Sequence, residues 1–179
     1  ASWLQFDLAS SGFRAEQARL EISPSFFKVT GPFFKNDRPL LATGQEARGS
    51  SQGIELSGQV AIWQEENIFR CGQAFFDKET GEINLMGGIK ANLAYSGSAG
   101  SGVKEAEIEA GDLSLLRADH AFRAGKAAAF SGGGFKIQAQ QLTFYFEGEK
   151  PDELTSLKMN GVVRLVWKDY EFQAEEGLY

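Results

Sequence analysis

The chain has 179 residues, which is enough to bury a core, and its 42% hydrophobic content is close to that of ordinary globular proteins. The net charge is −6, from 24 acidic and 18 basic residues, and this argues against nucleic-acid binding, which needs a basic stripe. With 21 glycines and 4 prolines, the composition favours many short strands joined by tight turns.

A short phrase recurs along the chain, and its first copy begins at Phe13. A large apolar residue is followed by any residue, a small residue, any two residues and another small or apolar residue. The last step breaks the period of two, so a bend or bulge is needed for both pairs to face one side. A phrase that recurs along the whole chain indicates an extended surface, because the residues of a catalytic site would occur only once. The six copies begin at Phe13, Phe69, Ile108, Leu116, Ile137 and Phe172.

Apolar residues alternate with polar ones over 54–62, over 83–93 and again over 157–167. Successive side chains of a strand point to opposite faces, so each stretch is predicted to be a strand with one face packed and the other in water. The alternation places Gly58, Gly87 and Gly161 among the apolar residues of the packed face.

The glycine- and serine-rich stretch 96–102 separates an N-terminal half, 1–95, from a C-terminal half, 103–179. We expect it to be a long loop within one continuous domain, 1–179, and a true domain break is the alternative. Residues 105–130 are rich in Ala, Leu and Glu, so a helix is the rival prediction there. Strands are favoured, because two copies of the phrase lie in this stretch.

Side chains suited to catalysis or metal binding are sparse. His120 is the only histidine, so a multi-histidine metal site is excluded. Cys71 occupies an alanine position of the phrase and is interpreted as a small buried residue rather than a nucleophile. The pairs Glu65–Glu66 and Glu175–Glu176 lie near strand ends and turns, where solvated carboxylates are common. Residues 132–134 are predicted to form a turn, and we expect no catalytic residue, metal or cofactor.

The 15 phenylalanines include three doublets, Phe26–Phe27, Phe33–Phe34 and Phe75–Phe76. In a strand, a doublet directs one ring to the core and the other outward. An outward ring suggests contact with a lipid or a protein.

The phrase and a larger strand–turn–strand unit, seen at 58–76 and again at 161–179, resemble the OstA-like family of lipopolysaccharide-transport proteins, the periplasmic LptA and LptC type. The stretch 12–93 looks most like LptC, with its opening Gly-Phe-x-Ala segment and the Gly-Pro-Phe element at 31–33. Residues from about 108 to 179 look more like LptA repeats. The tandem layout departs from either pattern and leaves both roles open.

The resemblance implies an all-β fold, an elongated and twisted antiparallel strand stack known as a β-taco or β-jellyroll, with an apolar groove. In that family the groove carries the acyl chains of lipopolysaccharide, and end strands pair head to tail with other lipopolysaccharide-transport proteins. We therefore expect non-enzymatic lipid transfer in a periplasmic export bridge, with an inner-membrane anchor upstream of Ala1 as a further expectation. The expected groove residues are Ile54, Leu56, Val60, Ile62, Phe69, Phe76, Ile83, Leu85, Ile137, Phe144, Val163, Leu165 and Phe172.

Two other function classes stay open. A structural or adhesive β-repeat module of the cell envelope would carry no lipid and would have a filled interior. A carbohydrate-active β-sandwich enzyme would use Glu65, Glu66, Glu175 or Glu176 as its acid and base.

Overall fold

The computed structural model describes residues 3–7, 12–23, 38–96, 103–116, 121–146 and 154–178, and these form eleven strands. The strands are β1 Trp3–Asp7, β2 Gly12–Ile22, β3 Leu40–Gly49, β4 Gly53–Gln64, β5 Asn67–Asp77, β6 Ile83–Ser96, β7 Val103–Leu116, β8 Ala121–Gly132, β9 Phe135–Phe146, β10 Leu154–Trp167 and β11 Tyr170–Leu178.

All eleven strands belong to one sheet, in the order of the chain, and every neighbouring pair is antiparallel. The order runs from β1 at one end to β11 at the other, so the described sheet does not close on itself. The all-β prediction is confirmed, and residues 105–130 lie in β7 and β8 rather than in a helix. Strand β6 pairs with β7 across the stretch 97–102, which lies outside the described residues. The extent of the domain itself stays a prediction.

A line of register shifts crosses the sheet at mid-strand, in every pair from β3–β4 to β10–β11. The even-numbered strands carry the extra residue of each bulge, and their backbone is left-handed there, with φ of 73° at Gly58, 85° at Gly87, 56° at Lys126 and 81° at Gly161. An extra residue on one strand bends it and increases its twist. The bend predicted within the phrase is therefore confirmed.

The bend changes the spacing of inward residues differently in neighbouring strands. The odd-numbered strands from β3 onward take a step of three across it, as from Cys71 to Ala74, and β2 does the same from Ala15 to Ala18. The even-numbered strands β4, β6, β8 and β10 take a step of four, as from Leu56 to Val60. A step of four keeps the parity of a straight strand. The prediction that Gly58, Gly87 and Gly161 belong to the packed face was therefore wrong, because these glycines form the bend itself.

The bend divides the sheet into two walls. Among the described residues there is one sheet and no helix, so no second element covers its apolar face. The sheet has to cover that face itself by folding over. The first wall contains 12–16, 46–49, 53–57, 73–77, 83–86, 112–116, 121–125, 141–146, 154–160 and 176–178. The second wall contains 18–22, 40–44, 60–64, 67–71, 89–96, 103–110, 128–132, 135–139, 163–167 and 170–174.

The inner faces of the two walls pack on each other. Phe130 in the second wall lies with its ring centroid 5.4 Å from that of Phe144 in the first wall. Phe130 pairs in register with Ile137, and Ile137 is seven residues from Phe144, which is roughly 23 Å along a straight strand. Only a sheet folded over at the bend brings the two rings together.

Candidate functional site

The apolar interior between the walls is the candidate site, because ten of the thirteen expected groove residues lie in its buried core. Ile54 and Leu165 are partly buried and pack against that core. Phe172 was expected inside as well, but it is 52% exposed. The buried ten are Leu56, Val60, Ile62, Phe69, Phe76, Ile83, Leu85, Ile137, Phe144 and Val163. That these residues bind lipid stays a prediction.

The interior is filled by its own side chains over most of its length. Phe144 contacts Phe122 edge to face, with ring centroids 5.6 Å apart, and it also contacts Phe130 across the walls. Small residues flank the bend, where the walls converge. Four of them occupy the third position of the phrase and are buried, namely Ala15, Cys71, Ala110 and Ala139. Among the residues that the structure describes, none of the buried side chains is charged. The walls therefore meet in a dry, apolar seam.

One edge of the second wall closes this seam over the N-terminal strands. In the second wall, the inward residue of each strand that lies furthest from the bend belongs to one row across the sheet, which we call the rim row. Leu40 and Leu93 lie in this row and are buried. Gln64 and Asn67 lie in the same row and are also buried. Gln64 Nε2 donates to the carbonyl oxygen of Arg38 at 2.8 Å, and the Asn67 Oδ1 accepts from the amide of Ala94 at 2.7 Å. Both buried amides are thus hydrogen-bonded to backbone, which removes most of the cost of burying them.

Over the C-terminal strands, the residues of the rim row are exposed to solvent. The row continues through Phe135, Trp167 and Tyr170, which are 36%, 40% and 62% exposed. These three rings and Phe172 form a continuous file, the aromatic ladder, with successive centroids 6.1, 6.4 and 6.5 Å apart. Phe172 is exposed because β11 is the last described strand and has a neighbour on one side only. Its ring still faces the inner side, since Phe172 pairs with Leu165.

Sequence reasoning missed part of this rim. Gln64, Asn67, Phe135 and Tyr170 were not among the expected site residues, although Trp167 belonged to the alternating set of the last long strand. Polar residues on each side of a two-residue turn suggest solvent exposure, so nothing in the sequence marks Gln64 and Asn67 as buried. The aromatic density of 165–172 is a usable signal for the ladder.

The candidate catalytic groups are not assembled. Burial raises the pKa of the Cys71 thiol to about 11, although its Sγ also contacts the carbonyl oxygen of Gln73 at 3.2 Å. A thiol with so high a pKa is protonated at neutral pH. The prediction that Cys71 is a small buried residue is confirmed. Glu65 lies in the β4–β5 turn and pairs with Arg38, whereas Glu175 lies exposed in β11, seven strands away.

The remaining candidates bring no metal or catalytic cluster together. Within 3–7, 12–23, 38–96, 103–116, 121–146 and 154–178, no group of three or more His, Cys, Asp or Glu side chains is placed to bind a metal ion. His120 lies outside the described residues, as do the doublets Phe26–Phe27 and Phe33–Phe34. Phe76 is buried while Phe75 is on the outer face, as predicted for a doublet. Residues 133 and 134 form the β8–β9 turn.

The part of the chain that the structure describes contains no helix of the length and apolarity that crossing a membrane requires.

The fold is similar to that of a solved transport protein. The crystal structure of LptH, the LptA homologous periplasmic component of the conserved lipopolysaccharide transport device from Pseudomonas aeruginosa, matches with a TM-score of 0.53 and 8% sequence identity. The match covers 65% of this chain and 80% of LptH. At this identity the similarity shows that the two proteins share the LptA-like β-jellyroll fold. No family model matches the sequence, and no curated protein matches it either.

Proposed function

We propose that this chain is a non-enzymatic carrier of lipopolysaccharide acyl chains in a periplasmic export bridge. The observation that supports this most is a folded, unclosed sheet in which no buried side chain of the described residues is charged. Acyl chains need an apolar surface and no particular chemistry, and burial stabilises them by about 25 cal/mol per Å². The shared fold with a periplasmic lipopolysaccharide-transport component supports the same cargo and compartment.

The two ends of the sheet support pairing with other transport proteins. Strands β1 and β11 each have one neighbour, so each leaves one row of backbone donors and acceptors free to pair with a strand of another chain. Head-to-tail pairing at these edges is part of the proposal. So are an LptC-like character of 1–95, an LptA-like character of 103–179, and an inner-membrane anchor upstream of Ala1.

Because the interior is filled, the walls must part for acyl chains to enter. The line of bulges is the place where this movement costs least, since pairing is already interrupted there. A ligand shifts the equilibrium only as far as it prefers the open state. Acyl chains have that preference, because the open state exposes two apolar faces that they can cover.

Site-specific photo-crosslinking in Gram-negative cells tests the proposal. A photoreactive phenylalanine analogue at Leu165, on the inner face, should capture lipopolysaccharide, and the same analogue at the next residue, Val166, should not. Ile62 and Trp63 give a second pair of adjacent residues on opposite faces of β4. Capture at Val166 and Trp63 with none at Leu165 and Ile62 would overturn the proposal.

The filled interior also favours a second function, a structural β-repeat module without lipid cargo. Such a rod needs the packed seam of Phe122, Phe130 and Phe144 but no opening of the walls. The two functions predict a different dependence of stability on lipopolysaccharide, because a ligand that binds the folded state raises the free energy of unfolding as its concentration rises. A rod predicts an unfolding midpoint that does not change with added lipopolysaccharide, and a carrier predicts one that rises.

A further inference from the structure

The two ends of the rim row differ in solvent exposure, and the packing of the seam does not require this difference. At the N-terminal end, apolar residues and two hydrogen-bonded amides close the row. At the C-terminal end, the row consists of half-exposed aromatic rings in mutual contact. The interior is thus open to solvent at the aromatic ladder while it is closed elsewhere in the second wall.

The ladder has almost no polar chemistry of its own. The outer face of the same two strands carries charged residues such as Arg164 and Glu171, which pair with each other at 2.8 Å. The Trp167 indole N–H and the Tyr170 hydroxyl are the hydrogen-bonding groups on the four ladder side chains. A cation is nearby, since the Lys168 ammonium lies 5.0 Å from the Trp167 ring centroid. That contact lies at the turn between β10 and β11.

We propose that the aromatic ladder is a docking site for a single alkyl chain. A partner strand would bind elsewhere, because a strand needs the backbone donors and acceptors at the free edge of β11, whereas the ladder offers four ring faces and two isolated side-chain donors. An alkyl chain needs no hydrogen bond and gains free energy from each methylene that it buries.

The ladder is also continuous with the interior. Phe172 pairs in register with Leu165, and Leu165 packs against the buried core. A chain held on the ladder therefore lies at the point where the two walls would first part. This continuation into the seam rests on the proposed function, whereas docking on the ladder does not.

Fluorescence of single-tryptophan proteins tests the docking site. The double variant Trp3→Phe/Trp63→Phe keeps Trp167 in the ladder, and Trp3→Phe/Trp167→Phe keeps Trp63 on the outer face. The probe is a lysophospholipid with a brominated acyl chain, used below its micelle concentration, with the unbrominated lipid as reference. We expect strong quenching of Trp167 and none of Trp63, with apparent affinity rising roughly fourfold for each added methylene group.

Two serine variants on the same strand give a matched control. Phe172 and Leu178 are both exposed in β11, but Leu178 pairs with Lys158 on the outer face. Phe172→Ser should weaken the binding of the probe about tenfold, since partial burial of a phenylalanine ring is lost, and Leu178→Ser should leave it unchanged. Because both side chains are exposed, both variants should keep the circular dichroism spectrum of the parent.

Equal quenching of Trp63 and Trp167, or equal effects of the two serine variants, would overturn the docking site. The proposed function is tested separately. Capture of lipopolysaccharide at Leu165 without quenching of Trp167 would leave the carrier function and refute the ladder. Quenching of Trp167 without capture at Leu165 or Ile62 would support the ladder and refute the carrier function.

Discussion

The contact between Phe130 and Phe144 tests the folding of the sheet into two walls, because the two residues meet only across the seam. We propose a double-mutant cycle with Phe130→Leu, Phe144→Leu and the double variant. Each single replacement nearly conserves volume and should lower the free energy of unfolding by about 1 kcal/mol. An aromatic pair contributes a further 0.5–1.5 kcal/mol or so beyond its buried area, and this is the coupling energy expected.

Two further cycles calibrate the measurement. Phe122 and Phe144 are direct cross-strand partners with centroids 5.6 Å apart, so they should couple whether or not the walls meet. Phe69 and Phe130 lie in the same row three strands apart, roughly 14 Å, and their effects should add within about 0.5 kcal/mol.

Urea unfolding followed by circular dichroism gives the free energies. A domain with a stability of about 5–15 kcal/mol stays folded after two such replacements. If Phe130 and Phe144 couple no more strongly than Phe69 and Phe130, the walls do not pack on each other in solution and the folded-over sheet is wrong. A changed slope of free energy against urea would instead show that a variant has altered the extent of unfolding.

Three further predictions concern the bend, the thiol and a turn. Gly87→Ala should lower the free energy of unfolding by about 1 kcal/mol more than Gly134→Ala. Both glycines have φ of 85°, but only at Gly87 would the new Cβ lie within 3.2 Å of another backbone. Equal losses of stability in urea would contradict this prediction. Cys71 should react with a thiol reagent at about pH 8 roughly a hundredfold more slowly in the folded protein than in urea, because its pKa is raised from 9.0 to about 11; similar rates would show that the thiol is exposed. The pKa of Asp77 is lowered by hydrogen bonds from the backbone amides of Thr80 and Glu79, so the loss of thermal stability in Asp77→Ala should be full above pH 3.8 and should shrink below it, and a loss independent of pH would contradict the hydrogen bonds.

The strands and part of the bend could be predicted from the sequence, because the alternation of apolar and polar residues shows which side chains share a face. In β2 and in the odd-numbered strands from β3 onward, the bend removes one residue from the alternation, so a step of three such as Cys71 to Ala74 is visible in the sequence. In β4, β6, β8 and β10 the step is four, and the pattern is that of a straight strand. The glycines at 58, 87 and 161 were visible, but without the partner strand their left-handed conformation could not be inferred.

The state of the interior could not be predicted, because it depends on what lies opposite each residue. Ile137 and Phe172 are the first residues of their copies of the phrase, yet Ile137 is buried in β9 with strands on both sides, whereas Phe172 is exposed in β11 with a strand on one side. The burial of Gln64 and Asn67 likewise depends on backbone groups supplied by Arg38 and Ala94. Those partners are 26 and 27 residues away in sequence.

If the interior is filled and the protein is a carrier, weakening the packing between the walls should lower the stability of the protein and raise its affinity for lipid. If acyl chains enter by parting the walls, the contact between Phe130 and Phe144 opposes binding, and its coupling energy of about 0.5–1.5 kcal/mol is part of the cost of opening. The Phe130→Leu/Phe144→Leu variant should then be less stable and yet bind lipopolysaccharide roughly two- to tenfold more tightly. A preformed groove lined by these rings would lose affinity instead, and a rod would bind in neither form. Titration of the parent and the variant at one temperature, with Phe69→Leu as the control, separates the three cases.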